Sequence, residues 1–158
     1  MWPESYIFPD GVSPHLAAEI KGTEIDLQRC LDDFQKLHEP TVIEGAGGVL
    51  VPINSSFLMA DFIRKLSVPT IVVASTKLGT INHSLLTLEA LRAREIRVAG
   101  VITVGSENKS NQKSIEAYGD TRILGHVALC DSFSLFWFRE TYKQLSISNL
   151  RGEQWVSA

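Results

Sequence analysis

The sequence predicts an α/β fold, a parallel sheet with helices on each side. Two observations carry that reading. Four short apolar runs, "TVIEG", "PTIVVAS", "VAGVITVG" and "RILGHVAL", are rich in β-branched residues and do not alternate apolar with polar. Runs of this kind belong to strands covered on both faces, as in parallel sheets. Helical patterns separate them with short connections, which is the strand–helix alternation of a doubly wound domain with right-handed crossovers. The 158 residues are expected to form one α/β domain over positions 1–158.

Each element follows from local signals. Residues 1–13, with Trp2, Tyr6 and Phe8 among Pro and Gly, read as an irregular arm. "SPHLAAEIKG" reads as a helix capped by Ser13, with Pro14 in its first turn and Gly22 at its end. A second helix is predicted from Ile25 to Leu37, where Ile25, Leu27, Leu31, Phe34 and Leu37 fall at roughly three–four spacing. "TVIEG" is the first predicted strand and "FLMADFIRKL" the helix after it. "PTIVVAS" leads into the long amphipathic helix "INHSLLTLEALRARE". "VAGVITVG" precedes the polar helix "NQKSIEAYGD", and "RILGHVAL" precedes "FSLFWFRETYKQL". The aromatic residues of that last helix, Phe133, Phe136, Trp137 and Tyr142, are expected to pack in the core rather than to form a base-stacking platform.

Composition narrows the function classes. A net charge of −3 gives no polyanion-seeking signature, so nucleic acid is not an expected partner. Cys30 and Cys130 are too far apart in sequence for a metal knuckle and form no disulfide framework. They read as buried or half-buried thiols in a reducing compartment. The start has no basic region followed by an apolar one, and runs such as "VPTIVVA" are too short to span a bilayer. A cytoplasmic protein without membrane contact is expected.

Candidate chemistry gathers at strand ends. Ligands of parallel sheets bind beyond the carboxyl ends of the strands. Glu44 ends the first predicted strand, and "GAGG" comes directly after it. Glycines there let the backbone approach a ligand, their N–H groups can cradle phosphate oxygens, and a carboxylate beside phosphates suits Mg²⁺. Taken alone, the motif reads equally as a tight turn with an exposed acid. A second group, Lys77, Gly79, Thr80, Asn82 and His83, crowds the connection from "PTIVVAS" to the next helix. A helix N-terminus at that place is a ready anion site. Ordinary capping by Asn82 and His83 and a solvated Lys77 are the structural alternatives.

Several motifs in order resemble the dethiobiotin synthetases, the ATP-dependent carboxylases of biotin synthesis. They are "YIFPDGVSPHLAAEIKG", "VIEGAGGVLVP", "ADFIRKLSVPTIVV", "KLGTINHSLLTLEAL" and "VAGVI", and the likeness runs from about Tyr6 to Gly125. The resemblance implies a three-layer parallel sheet of P-loop NTPase type and a homodimer with substrate sites shared between subunits. It implies ATP and Mg²⁺ as cofactors, with 7,8-diaminopelargonic acid and CO₂ or bicarbonate as substrates. By that resemblance Glu44 is the Mg²⁺ ligand, and Gly45, Ala46 and Gly47 lie against the nucleotide. Gly79, Thr80, Ile81 and Asn82 form the turn that receives the distal carboxylate of the substrate across the dimer. Val104 and Gly105 fall where the base is held.

The sequence also departs from the family. No Gly-Lys pair occurs in these residues, so GxxxxGK[ST] is lacking, and with it the family's catalytic lysine. The N-terminal strand and P-loop helix are expected to be missing, which should expose apolar surface on the remaining strands. Val104 stands where the family has a base-reading Asn, and Ala128 where it has a proline, with Ser106 and Asn108 as candidate substitutes. The expected activity is Mg-ATP-dependent carboxylation and ring closure of 7,8-diaminopelargonic acid to dethiobiotin, incomplete in this chain. The alternative is a degenerate homologue acting as a binding or dimerisation module.

Overall fold

The computed structural model describes residues 4–38 and 41–147, so Trp2 lies outside the described residues. These residues fall into two compact units, divided after Ser67.

The first unit holds three helices, α1 (Pro14–Ile20), α2 (Leu27–Gln35) and α3 (Met59–Leu66). Ser13 sits at the start of α1 as expected, but its side chain makes no capping bond; Pro14 opens the helix. Gly22 takes a left-handed φ of 65° just after it. The second helix starts two residues later than the apolar spacing suggested. The cause is Asp26, whose carboxylate accepts from the N–H groups of Gln28 at 2.8 Å and Arg29 at 3.4 Å. A capping acid fixes the first turn more firmly than periodicity does.

Ala18, Ile25, Leu27, Ile53 and Met59 form the core of this unit, with Tyr6, Phe8, Phe57 and Phe62 packed against it. The arm of residues 4–13 has no helix or strand but is anchored. Tyr6 stacks near Phe8, lies under the Arg29 guanidinium at 4.8 Å, and its hydroxyl accepts from Asp26 N at 3.0 Å. Ser5 donates to Asp33 at 2.7 Å. Lys36 first, and then Ser5, hold the Asp33 carboxyl below its ordinary range. Cys30 is half-buried, and burial raises its thiol, in keeping with an inert packing role.

The second unit is a three-stranded parallel sheet of β1 (Thr70–Ser75), β2 (Val98–Val104) and β3 (Ile123–Val127), in that spatial order. The helices α4 (Thr80–Arg92) and α5 (Lys109–Gly119) make the two crossovers, and α6 (Leu135–Gln144) comes after β3. Val72 lies opposite Val101 and Ser75 opposite Val104, so the carboxyl ends of β1 and β2 are level. Val101, Thr103, Leu124, Ile115, Leu88 and Leu91 are the most deeply buried side chains. α4 turns Thr80, Ser84, Leu88 and Leu91 inward at spacings of four, four and three. The parallel α/β class is thus as the sequence predicts, and no helix among the described residues is long and apolar enough to cross a membrane.

Three expectations are corrected. "TVIEG" is not a strand. Residues 41–45 have no regular structure, Ile43 is exposed, and Val42 is 97% exposed. A strand gains its backbone hydrogen bonds only from a neighbouring strand, and among the described residues none pairs with this run. β2 and β3 have no exposed residue, but the run of β1 is not covered on both faces. β1 buries Val72 and Ala74 under α4 but exposes Ile71 and, at 67%, Val73. The aromatic residues of α6 are not core: no residue of this helix is buried, and Phe133 and Phe136 are more than 70% exposed. Phe133, Trp137 and Phe138 instead pack on one another, with centroids 5.1–5.7 Å apart. The chain meets β3 just past the end of this helix, where Ser146 N donates to Leu124 O at 2.6 Å.

The close approach of β2 and β3 depends on Gly100. Its φ is 151°, and a Cβ there would lie 2.6 Å from Leu124 Cγ and 2.8 Å from Arg122 O. Gly100→Ala is expected to destabilise the protein by about 1–3 kcal/mol in chemical denaturation, because a backbone oxygen cannot yield as a side chain can. Asp26→Ala should cost about 1 kcal/mol through the lost α2 cap. Asp26→Asn, which keeps the acceptor, should recover most of that loss.

Candidate functional site

In the first unit, Glu44 and the glycine loop are shaped by the segment between them and α3. The chain from Val49 to Leu58 folds back on the start of α3. Met59 N donates to Val51 O and Ala60 N to Val49 O, each at 2.8 Å, and Pro52 bridges Leu58. Asp61 accepts from Leu58 N at 2.8 Å. The first-turn donors of α3 are thereby used by its own loop, which leaves that helix no open anion site. Gly47 takes φ 82°, and a Cβ on it would lie 3.0 Å from Val51. Gly45 faces Met59 at ordinary contact distance, and Gly48 has open space around it. Glu44, Gly45, Ala46 and Gly47 are all exposed. The result is an exposed carboxylate on a loop whose backbone a ligand can reach. A lone carboxylate of this kind fits Mg²⁺, which takes hard oxygen donors and keeps several waters. Among the described residues no group of three or more His, Cys, Asp or Glu could hold a metal by itself.

In the second unit, the remaining site residues come together at the carboxyl edge of the sheet. β1 ends at Ser75, and Thr76 N donates to Val104 O at 3.0 Å, tying the ends of β1 and β2. Gly105, with φ 132°, has its N–H bonded to Val127 O at 3.0 Å, and a Cβ on it would collide with Thr76 Oγ1. Only glycine lets the two loops pass this closely. Thr76, Gly79–Asn82 and Val104–Gly105 therefore share one edge.

Gly79 is the N-cap of α4, with a left-handed φ of 92° and no side-chain cap. Asn82 and His83 are not capping residues, so that alternative is removed. The uncapped first turn leaves N–H donors and the positive end of the helix dipole facing the edge. Thr80 is turned inward, only 6% exposed, and its hydroxyl has no partner. Any ligand at this turn thus meets backbone rather than the Thr80 side chain. Ile81 is half-buried, while Asn82 and Lys77 are exposed.

Val104 is half-buried at the end of β2 and offers no polar group. Of the candidate substitutes, Asn108 is engaged: it caps α5 by accepting from Asn111 N at 3.0 Å. Sequence reasoning missed a polar chain beneath this edge. Gln112 donates to Thr103 Oγ1 at 2.9 Å, and Thr103 Oγ1 meets His126 Nδ1 at 3.0 Å. It joins the ends of β2 and β3 to the first turns of α5. The signal was weak, a Thr inside an apolar strand and a His in a short one.

The AAA domain family matches residues 2–133. Relatives include ATP-dependent dethiobiotin synthetases. That of Paramagnetospirillum magneticum is 43% identical over 125 residues, covering 79% of this chain and 60% of the relative. That of Lawsonia intracellularis is 47% identical over 122 residues, covering 77% and 58%. A Rhodopseudomonas palustris (strain BisB18) protein is 38% identical over 141 residues, covering 89% and 66%. The chain spans about 60% of the length of the curated relatives it matches. Matched over most of its length and with its glycine loop and α4 turn in the expected order, the chain belongs to the AAA domain family, and within it to the dethiobiotin synthetase-like sequences.

Proposed function

We propose that this chain carries part of the machinery of a dethiobiotin synthetase, the Mg-ATP-dependent carboxylation and ring closure of 7,8-diaminopelargonic acid. The observation that carries the reading is the uncapped start of α4, with left-handed Gly79 at the carboxyl edge of β1. It is an anion site built from backbone, at the position where the resemblance calls for a carboxylate-binding turn.

Each role has a chemical reason. In the family reaction one amine of the substrate takes up CO₂ as a carbamate, ATP phosphorylates it, and the second amine displaces phosphate. Mg²⁺ supplies charge neutralisation on the transferred phosphoryl group. Glu44 would hold that ion, and the backbone of Gly45, Ala46 and Gly47 would lie along the nucleotide. Gly79, Thr80, Ile81 and Asn82 would fix the far carboxylate of the diamine, and that placement positions the amines. Val104 and Gly105 would line the base with apolar and backbone surface. The chain would act as a cytoplasmic homodimer. Leu78, fully exposed beside the α4 turn, and Leu86, 56% exposed on α4, supply apolar surface suited to a second copy.

A second reading is a degenerate homologue that binds or dimerises without turnover. Val104 and Ala128 favour it, because neither offers the paired donor and acceptor of an amide or the rigidity of a proline. Dethiobiotin formation from 7,8-diaminopelargonic acid, bicarbonate and Mg-ATP separates the two. The chain is assayed alone and after supplying a P-loop segment taken from the P. magneticum relative. Product in the supplemented sample supports the synthetase, and its lack there supports the module.

Two substitutions test the roles. Glu44→Ala should weaken Mg-ATP binding about tenfold or more in the supplemented protein, read by titration calorimetry. Unchanged affinity removes Glu44 from the metal. Leu78→Asp should move the sedimentation coefficient toward that of a monomer without altering the far-UV spectrum. An unchanged coefficient would place the dimer contact elsewhere.

A further inference from the structure

Just before the ends of β2 and β3 lies a buried polar chain that the packing of the sheet does not explain. Thr103 stands opposite His126 in the register of the two strands, and Val104 opposite Val127. Thr103 is 2% exposed. Gln112 Nε2, from α5, donates to Thr103 Oγ1 at 2.9 Å. The single hydrogen of that hydroxyl goes to His126 Nδ1 at 3.0 Å, because the other acceptor, Gly125 O, is 3.5 Å away, past the usual O–H···O range of about 2.5–3.0 Å. Nδ1 therefore accepts, and the ring hydrogen sits on Nε2. Nε2 is buried and has no partner among the described residues. The chain thus ends in an unpaired donor, which costs stability.

Thr, His and Gln are a costly way to hold a sheet together at this place. Val101, Leu124 and Ile115, from the same two strands and the same helix, are fully buried and need no polar partner. Apolar groups of similar shape in place of a hydrogen-bonded pair are often neutral or stabilising. What the chain adds is direction, since a buried hydrogen-bond network specifies one arrangement where apolar contacts permit several. It fixes β2, β3 and α5 at one level, one residue before Val104 and Val127. From there Thr76 N donates to Val104 O and Gly105 N to Val127 O, each at 3.0 Å, and these bonds carry the alignment into the loops.

We infer that Gln112, Thr103 and His126 are positioning residues for a nucleobase held at Val104 and Gly105, which rests on the nucleotide role proposed for those two residues. The three side chains do not touch the base. They act through the backbone of Val104, Gly105 and Val127. Val104 offers the base no polar group, so the spacing of the loops after β2 and β3 selects it, and the polar chain sets that spacing.

The deciding experiment is a titration of the ¹⁵N-labelled chain with adenosine, monitored through amide shifts, with ribose as the control that lacks a base. Saturable shifts at residues 104–106 and 127–128 are expected from adenosine and not from ribose. Thr103→Val breaks the chain at its centre and should weaken adenosine about threefold or more, while Thr103→Ser, which keeps the hydroxyl, should hold wild-type affinity. Gln112→Leu removes the chain from the helix side, leaves both strands intact and should show the same loss, which covers the case in which Thr103→Val fails to fold. Long-range ¹H–¹⁵N spectra of the His126 ring should show its hydrogen on Nε2 in the wild type and in Thr103→Ser. Hydrogen on Nδ1 in the wild type overturns the inference. So does wild-type affinity in Thr103→Val or Gln112→Leu, and that result leaves the base site itself standing. If adenosine gives no saturable shift even in the wild type, the nucleotide role of Val104 and Gly105 fails and the inference falls with it.

Discussion

Parallel pairing along β2 is the constraint on which the second unit depends. β2 is bonded on both sides, and a parallel strand can be reached only through a crossover. That forces α4 and α5 into the connections and sends every helix start to the carboxyl edge. The glycines answer to the same constraint. Gly100 permits the approach of Leu124 and Arg122, and Gly105 lets the loops after β1 and β2 pass. Neither place tolerates a Cβ, so the register of the sheet and the shape of the site edge are set together. At the carboxyl edge the closest such approach is that of Gly105 to Thr76.

Much of this was legible in the sequence because it is local. Continuous β-branched runs marked β1, β2 and β3, and three–four spacing marked the helices. The edge residues Gly79 to Asn82 and Val104 to Gly105 were legible because a strand end in a parallel sheet has only one kind of neighbourhood. The features that failed are those that depend on a partner. "TVIEG" has the residues of a strand, but a ladder is a property of two segments, and Val42 stands in solvent. The aromatic face of α6 has core composition, yet burial needs an opposing surface, which β3 offers only near Leu145. The α2 start was missed for a different reason: periodicity locates a face, whereas a cap such as Asp26 locates an end.

The carboxyl edge has an economy of polar groups. α5 begins at a capped N-terminus, with Asn108 bonded to Asn111. α4 begins at a left-handed glycine with no side-chain cap. Two helix starts on one edge are therefore electrostatically unlike. Thr80 sharpens the contrast. Its hydroxyl is buried and unpartnered rather than folded back onto the helix start. A hydroxyl placed so costs stability and does not relieve the exposed N–H groups. Under the proposed function the donors of this turn serve a ligand, and a backbone site of this kind would tolerate substitution of its side chains.

Helix polarity then explains why the two ends of the sheet differ in composition. With every crossover helix running the same way, the carboxyl edge receives positive dipole ends and the amino edge negative ones. An anion site at the carboxyl edge needs few cations, and there the chain supplies Lys77 and the open start of α4. At the amino edge the helix ends repel anions, so any such site must be built from side-chain charge. Arg92 offsets the carbonyls of Gly119 and Asp120, and that much is capping. Arg122 likewise answers a backbone carbonyl, donating from Nε to Ala99 O at 2.8 Å. Arg92 and Arg122 are thus bonded to backbone carbonyls, whereas at the carboxyl edge the helix start itself is the positive group.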